Sequence, residues 1–394
     1  MDTDKLMDIE QYTAWIEVDP EALSENYQRV QEHVGGTGVI PVIKANGYGL
    51  GAVVCARIYE TKGAKLLAVT RVEEAVELRE AGIQTDILLL TPFTKTQIDL
   101  VLRYRLTPAI SALWQAQALE QAAVSAGVKL FVHLKVETGL GRTGFLLSAF
   151  EQLLDSWPAS SHLFIQGLFS HLAAAHRTAY TQKQHMAFES FLLACQERNL
   201  SIPMIHLANS AGALLRKELL YTHVRVGTLL YGQFPPHTNK PLVLKNPFVV
   251  YARVLSINTV KAGSSIGYGL DVVAKKPALI AVLGIGWSDG VSVGVKRRQP
   301  TWSQGLRQVM QTIKRLVTND QLYVKIHDRS YRFIGRIGMQ TATILVDDAV
   351  SVGDVATIPM MRLLASARLP RVIRYQDLKW TQDQWSERMQ KRDE

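Results

Sequence analysis

The chain has 394 residues, 47% of them apolar and 20% charged, and a formal net charge of +9. This is the make-up of a soluble globular protein with room for two cores. With Cys55 and Cys195 as the only cysteines, a disulfide framework and a metal-ligand spacing are excluded, and no apolar run, 278–287 included, is long enough to span a bilayer. The first ten residues are polar and acidic, unlike a secretory signal, so a reducing, cytoplasmic setting without a membrane partner is expected. The positive charge fits nucleic acid or acidic lipid, and equally an enzyme whose substrate and cofactor are anionic.

Residues 39–43 form an apolar run rich in β-branched residues that ends on Lys44, followed by Ala45-Asn46-Gly47-Tyr48-Gly49. A lysine at the tip of a buried strand is partly desolvated, which disfavours its ammonium form, as an imine-forming lysine requires. A lysine that snorkels from a strand end into water gives the same local pattern. Short apolar runs then recur at 38–44, 65–70, 86–91, 106–110, 129–137, 163–171, 204–209 and 223–227. The segments between them, such as 73–81 and 112–126, are rich in Ala, Glu, Gln and Leu at helical spacing. Runs of this kind, apolar on both faces and alternating with helices, predict an α/β chain with a (β/α)8 barrel over residues 11–240. The run containing Pro108 fits least well.

Pro235, Pro236, Pro241 and Pro247 mark a linker, after which the pattern alternates at 249–257, 279–285, 323–326 and 343–346. Residues 241–394 therefore read as a mostly β domain, with residues 1–20 free to pair with it. One segment, 296–316, carries Lys296, Arg297, Arg298, Arg307, Lys314 and Arg315 and no acid. It reads as a basic helical insertion with a solvated face, or less simply as a contact for an anionic partner.

Barrels of this class gather their chemistry at the C-terminal ends of the strands. Lys44 and Tyr48 follow the first strand there, and Lys135, Glu137, Gly139, Gly141 and Arg142 follow the fifth. His171 ends the sixth, Asn209 and Ser210 follow the seventh, and Arg225 and Gly227 close the eighth. Singly each has a plain reading: His171 as a core histidine, Ser210 as a helix cap. Together they form a cluster at one mouth. Ser210 at a helix start, with the backbone of Gly227-Thr228, occupies the places where barrels bind phosphate. A lysine for an imine, a phosphate cradle and an arginine between them describe a pyridoxal 5'-phosphate pocket.

Here the chain resembles the alanine racemase family. The likeness is carried, in order, by Ile43-Lys44-Ala45-Asn46-Gly47-Tyr48-Gly49, by residues 134–145 around Gly139-Leu140-Gly141-Arg142, and by Ser170-His171. It continues with His206-Leu207-Ala208-Asn209-Ser210-Ala211, Val224-Arg225-Val226-Gly227, Leu230-Tyr231-Gly232 and Gly267-Tyr268-Gly269, and more loosely with Gly286-Trp287-Ser288-Asp289-Gly290 and Gly335-Arg336-Ile337-Gly338-Met339. The resemblance implies an isomerase that interconverts L- and D-alanine and supplies D-alanine to cell-wall peptidoglycan. Lys44 would carry the cofactor and act as one base. Tyr268, from the partner subunit of a head-to-tail homodimer, would be the other. Arg142 would orient the substrate or bond the cofactor phenolate, and His171 would tune Tyr268 through Arg225, which faces the pyridine nitrogen. Tyr48, Ser210, Gly227 and Thr228, with Asn209 beside them, would hold the cofactor. Met339 and Trp287 would border the substrate. Neither metal nor nucleic acid is implied.

Departures from the family pattern collect near the substrate: Trp287 for a tyrosine, His176 for an acid, Gly338 and Gln340 flanking Met339, Ala367 for a tyrosine, and Val293 for an arginine. They suit either drift around an alanine pocket or a broader pocket for serine or basic amino acids. A pyridoxal-phosphate decarboxylase and a non-catalytic pyridoxal-phosphate-binding protein are the readings of other classes. Arg225 opposes the first, and the retention of both Lys44 and Tyr268 opposes the second.

Overall fold

The computed structural model describes residues 9–158, 161–292, 322–375, 378–382, 384, 385 and 388. The expected basic segment 296–316 and Val293 lie outside them. The chain divides into two compact units, one running from Asp19 to Pro247 and the other joining the described residues up to Val18 with Phe248–Arg388.

Strand β1 (Ala14–Val18) belongs to the second unit. The first unit contains β2 (Gly38–Pro41), β3 (Leu66–Val69), β4 (Asp86–Leu89), β5 (Thr107–Ile110), β6 (Leu130–Lys135), β7 (Leu163–Phe169), β8 (Met204–His206) and β9 (His223–Val226). Strands β3 to β8 pair in sequence order, and β2 pairs in parallel with β9, Gly38 opposite His223 and Pro41 opposite Val226. A parallel bridge from Val42 to Ala68 joins β2 to β3, and the Arg225 amide donates to Ala208 O (3.0 Å) just past β8. The strands thus succeed one another round a ring, the expected (β/α)8 barrel.

Every residue of β3 and β5 is buried, as expected for parallel strands covered on both faces, Thr107 of β5 included. Ile40, Val42, Leu66, Ala68, Leu88 and Met204 form one cluster of this core. Pro108 removes one ladder donor, and β4 meets β5 only at Leu88–Thr107 and Leu89–Pro108. Outside the strands, helix Pro20–Val34 starts on Asp19, whose side chain accepts from the Ala22 amide (3.0 Å), and buries Leu23, Tyr27, Val30 and Val34 along one stripe.

The second unit is mostly β. Its strands are β1 with β10 (Phe248–Val260), β11 (Ala278–Leu283), β12 (Tyr323–Ile326), β13 (Arg329–Arg332), β14 (Ala342–Leu345), β15 (Val355–Ile358), β16 (Arg371–Tyr375) and β17 (Leu378–Thr381). The order is β13-β12-β15-β10-β1-β16-β17, with β11 and β14 branching from β10. A register shift between Val254 and Ser256 splits β10: its first part pairs with β1 and β15, and its second with β11. Glu17 on β1 is nearly buried but held by Arg374 (3.1 Å) and Lys379 (2.8 Å). Among the described residues no helix is long and apolar enough to cross a membrane.

Candidate active site at the barrel mouth

Lys44 stands one step beyond the ladder of β2: Val42 N donates to Val226 O (2.8 Å) and Ile43 N to Ala68 O (2.9 Å). Past the lysine the chain makes a left-handed turn, with φ of 53° at Ala45, 53° at Asn46, 60° at Gly47, 54° at Tyr48 and 90° at Gly49. For residues with a Cβ this conformation costs about 1–2 kcal/mol each, so the turn needs outside support. Asn46 Oδ1 accepts from Ala52 N (2.8 Å), and Glu74 Oε1 accepts from Ala45 N (2.6 Å). At Gly47 a Cβ would come within 2.8 Å of Cys55 Sγ. The Lys44 amine is held below the ordinary lysine range, by burial first and then by Arg142 and Arg225, with Glu74 opposing.

Across the mouth, Lys135 is buried on β6, donates to Leu90 O (2.9 Å) and lies over the Phe169 ring. Burial, then Arg142 and Arg225, push it down to about 8. In the loop after β6, Glu137 accepts from the amides of Gly139 (2.5 Å), Leu140 (2.6 Å) and Arg142 (3.2 Å), so one carboxylate shapes the stretch that presents Arg142. Gly144 at φ 140° passes so close to Val136 that a Cβ would meet its carbonyl carbon at 2.5 Å.

Arg225 is buried at the end of β9, and its guanidinium organises a chain of side chains leading into the barrel. Arg225 NH1 meets His206 Nδ1 (2.7 Å), His206 Nε2 meets His133 Nδ1 (2.8 Å), and His133 Nε2 meets Gln166 Oε1 (3.1 Å). Arginine only donates, so each bond fixes the next: His206 Nδ1 accepts and its Nε2 donates, then His133 Nδ1 accepts and its Nε2 donates to the amide oxygen. Both histidines are therefore neutral, consistent with burial pushing His133 down to about 3 and His206 well below its ordinary value. Arg225 NH2 donates to Ser170 O (2.5 Å) and to His171 Nδ1 (3.3 Å), and His171, pushed by burial and by Arg225 down to about 3, is neutral as well. Burial and Arg142 bring Arg225 itself down to about 9. Gly167 makes the passage: a Cβ there would lie 2.3 Å from His133 Nδ1. The sequence places His171 and Arg225 together, as found. It assigns no part to His206 or His133, whose meeting joins strands far apart in the chain.

The cradle lies beside β9. Ser210 Oγ accepts from Gly227 N (3.1 Å), which leaves the serine proton to donate outward. A Cβ on Gly227 would land 2.2 Å from the Tyr48 hydroxyl oxygen, so only glycine lets Tyr48 reach this point. The Tyr48 ring stacks on Tyr231 (4.6 Å), whose hydroxyl donates to Val42 O (3.0 Å). Thr228 Oγ1 is buried without a hydrogen-bond partner. The sequence allows Ser210 to be a helix cap; the structure gives that task to Asn209. Its Oδ1 accepts from Ala211 N (3.1 Å) and Gly212 N (3.0 Å), and its Nδ2 donates to Leu172 O (3.4 Å). The Asn209 side chain is thereby committed to the backbone of the turn that carries Ser210.

The remaining expected residues belong to the β unit. Tyr268 opens a short turn, Tyr268–Leu270, and is 73% exposed. The turn leans on Arg336, which pairs with Asp271 and would sit 3.1 Å from a Cβ on Gly269. Met339 and Trp287 are exposed on adjoining loops: Trp287 N donates to Gly338 O (2.9 Å), and Ser288 donates to Met339 O from its amide (3.0 Å) and its hydroxyl (2.6 Å). A cavity of about 510 Å³ in this unit is bordered by Gln11, Asp289, Gln340 and Arg368, with no lysine among the described residues that line it.

Residues 18–235 match the family model "Alanine racemase, N-terminal domain", and residues 248–369 match "Alanine racemase, C-terminal domain". The chain belongs to the alanine racemase family. An alanine racemase from Nostoc sp. is 35% identical over 304 residues, 75% of this chain and 78% of the relative. Among solved structures, an alanine racemase from Clostridium difficile superposes with a TM-score of 0.83 at 25% identity, over 94% of this chain and 98% of that one. The alanine racemase from Bartonella henselae, solved with covalently bound pyridoxal phosphate, has the same fold, with a TM-score of 0.73 at 23% identity over 92% of this chain and 100% of its own.

The barrel mouth of this racemase-family chain suits such a cofactor on its own residues. A phosphate needs donors: the outward Ser210 proton and the Tyr48 hydroxyl both lie against Gly227, and the next residue, Thr228, has a hydroxyl without a partner. An aldehyde needs an amine whose neutral form is favoured, and burial shifts Lys44 in that direction.

Proposed function

We propose that this chain interconverts L- and D-alanine with pyridoxal phosphate carried on Lys44. The observation that carries the reading is Arg225, a buried cation held between histidines that are all neutral. Bound pyridoxal phosphate supplies an electron sink that acidifies the α-hydrogen of an amino acid. Arg225, a buried cation, would disfavour a proton on a ring nitrogen held against it, and so would favour return of the α-proton over transamination or decarboxylation. His206 and His171 accept from Arg225 and have no proton to pass to it. Lys44 takes or returns the proton on one face of the α-carbon, and Tyr268 of the partner subunit does so on the other, in a head-to-tail homodimer. Tyr48, Ser210, Gly227 and Thr228 hold the phosphate, with Asn209 bracing Ser210. Arg142 orients the substrate, and Met339 and Trp287 border it. His171 keeps Arg225 in place. A cytoplasmic supply of D-alanine for the cell wall fits this chemistry, and the buried thiols of Cys55 and Cys195 suit a reducing setting.

Two measurements test it together: borohydride trapping of pyridoxal phosphate with peptide mapping, and proton NMR of L-alanine in D₂O. We expect the label on Lys44, loss of the α-hydrogen signal and formation of D-alanine. A label on Lys44 with turnover of serine, lysine or arginine in place of alanine would make the chain a broader racemase. Carbon dioxide from basic amino acids would make it a decarboxylase.

A further inference from the structure

The turn after Lys44 is strained, and one carboxylate is bonded to it from the next strand end. Glu74 lies in the first turn of helix Val72–Glu80. One of its oxygens accepts from Ala45 N (2.6 Å); the other accepts from Thr70 N (3.0 Å), Thr70 Oγ1 (3.1 Å) and Arg71 N (3.0 Å). Thr91, beyond β4, donates in turn to Thr70 O, so the ends of three successive strands are joined through this group. Ala45 and Asn46 carry side chains at φ 53°, so the left-handed turn is not their intrinsic preference. Lys44 is bonded directly to Ala45, and the direction of its side chain depends on that turn.

We propose that Glu74 is a positioning residue for Lys44: through the Ala45 amide it locks the left-handed turn that aims the lysine, and through Thr70 and Arg71 it anchors that turn to the neighbouring strand end. The inference rests on the reading of Lys44 as the cofactor lysine. Glu74 also acts on the lysine through its charge. The charged groups acting on Lys44 are Arg142, Arg225 and Glu74; Lys135 and the neutral His171 feel Lys44 in return. Among these Glu74 alone is acidic, and its charge favours the ammonium against burial and both arginines.

The test compares Glu74→Ala, Glu74→Gln and a control, Glu73→Gln. Glu73 sits on the same helical turn but is exposed and bonded by Gln97 Nε2 (3.2 Å), so the control removes an equal charge without touching Ala45. The first readout is competitive acetylation of lysines in cofactor-free protein across pH, with Lys44 followed by mass spectrometry. Its midpoint should move to lower pH in Glu74→Ala and in Glu74→Gln and stay put in Glu73→Gln. The second readout is pyridoxal-phosphate affinity, which should weaken about tenfold in Glu74→Ala, the scale of one hydrogen bond to a charged acceptor, and less in Glu74→Gln, which keeps an acceptor oxygen. A Lys44 midpoint unmoved in Glu74→Gln overturns the proposal, even if Glu74→Ala does not fold. So does a loss of thermal stability in Glu74→Ala with wild-type midpoint and affinity, the result of a merely structural role. Failure of the wild-type protein to capture pyridoxal phosphate on Lys44 would instead defeat the cofactor reading, and the acetylation arm would still report on Glu74.

Discussion

Gly227 shows how tightly the mouth is built. Its φ of −116° is not a left-handed one that calls for glycine; the obstacle is Tyr48, whose hydroxyl oxygen would be 2.2 Å from the new Cβ. Tyr48 cannot swing aside freely, because its ring stacks on Tyr231, itself bonded to Val42 O. Gly227→Ala should therefore displace the Tyr48 hydroxyl from the cradle. Pyridoxal-phosphate affinity is expected to fall at least about tenfold, the equivalent of one lost hydrogen bond, with a melting temperature within a few degrees of wild type. An affinity like that of the wild type would mean that Tyr48 is not a phosphate donor. The sequence reaches Gly227, Tyr48 and Lys44 through strand-end position and family likeness. It does not reach the left-handed turn, because Ala45 and Asn46 give no glycine signal and the bond from Glu74 comes from 29 residues away.

The barrel strands are legible because parallel strands covered on both faces read as unbroken apolar runs, and each expected run contains an observed strand. Strands β1, β13, β15, β16 and β17 are not legible in the same way. They are four or five residues long, and β13 (Arg-Ser-Tyr-Arg) and β16 (Arg-Val-Ile-Arg-Tyr) are punctuated by arginine, so pairing and not composition defines them. Equally hidden is the polar chain through β6, β7, β8 and β9, and it has a measurable consequence. His133 and His171 are pushed down to about 3 and His206 lies well below 6.5, so between pH 6.5 and 3 the unfolded chain binds protons that the folded one refuses. Stability is then full above pH 6.5 and is lost as pH falls through that window, with a slope of up to about 1.4 kcal/mol per pH unit for each histidine. Urea unfolding at pH 7, 6 and 5 should show this decline, and His133→Gln should reduce the slope by about one proton. A slope unchanged in the variant would mean that His133 is charged in the folded protein, which would contradict the bond order running from Arg225 to Gln166.

For the whole molecule, the proposed function requires Tyr268 of one chain to serve Lys44 of another. The β unit displays Tyr268, Leu270, Trp287 and Met339 on its loops, each at least half exposed. The barrel displays Lys44 in a mouth whose other titratable neighbours are Arg142, Arg225, Lys135, the neutral His171 and Glu74, whose two oxygens are committed to the amides of Ala45, Thr70 and Arg71. On the proposed reading, a head-to-tail two-fold homodimer would make two sites from two Lys44 and two Tyr268. Complementation decides the matter. Chains carrying Lys44→Ala or Tyr268→Phe should each be nearly inactive as homodimers. Unfolded together in equal amounts and refolded, they should give about half of their molecules as mixed dimers by random pairing, each with one site that lacks both groups and one that is intact. Recovered activity should therefore approach a quarter of the wild-type value, since half the dimers hold one working site of two. Recovery near zero, with mixed dimers verified by mass, would place Lys44 and Tyr268 of the same chain in one site, and the subunit boundary would have to be drawn elsewhere.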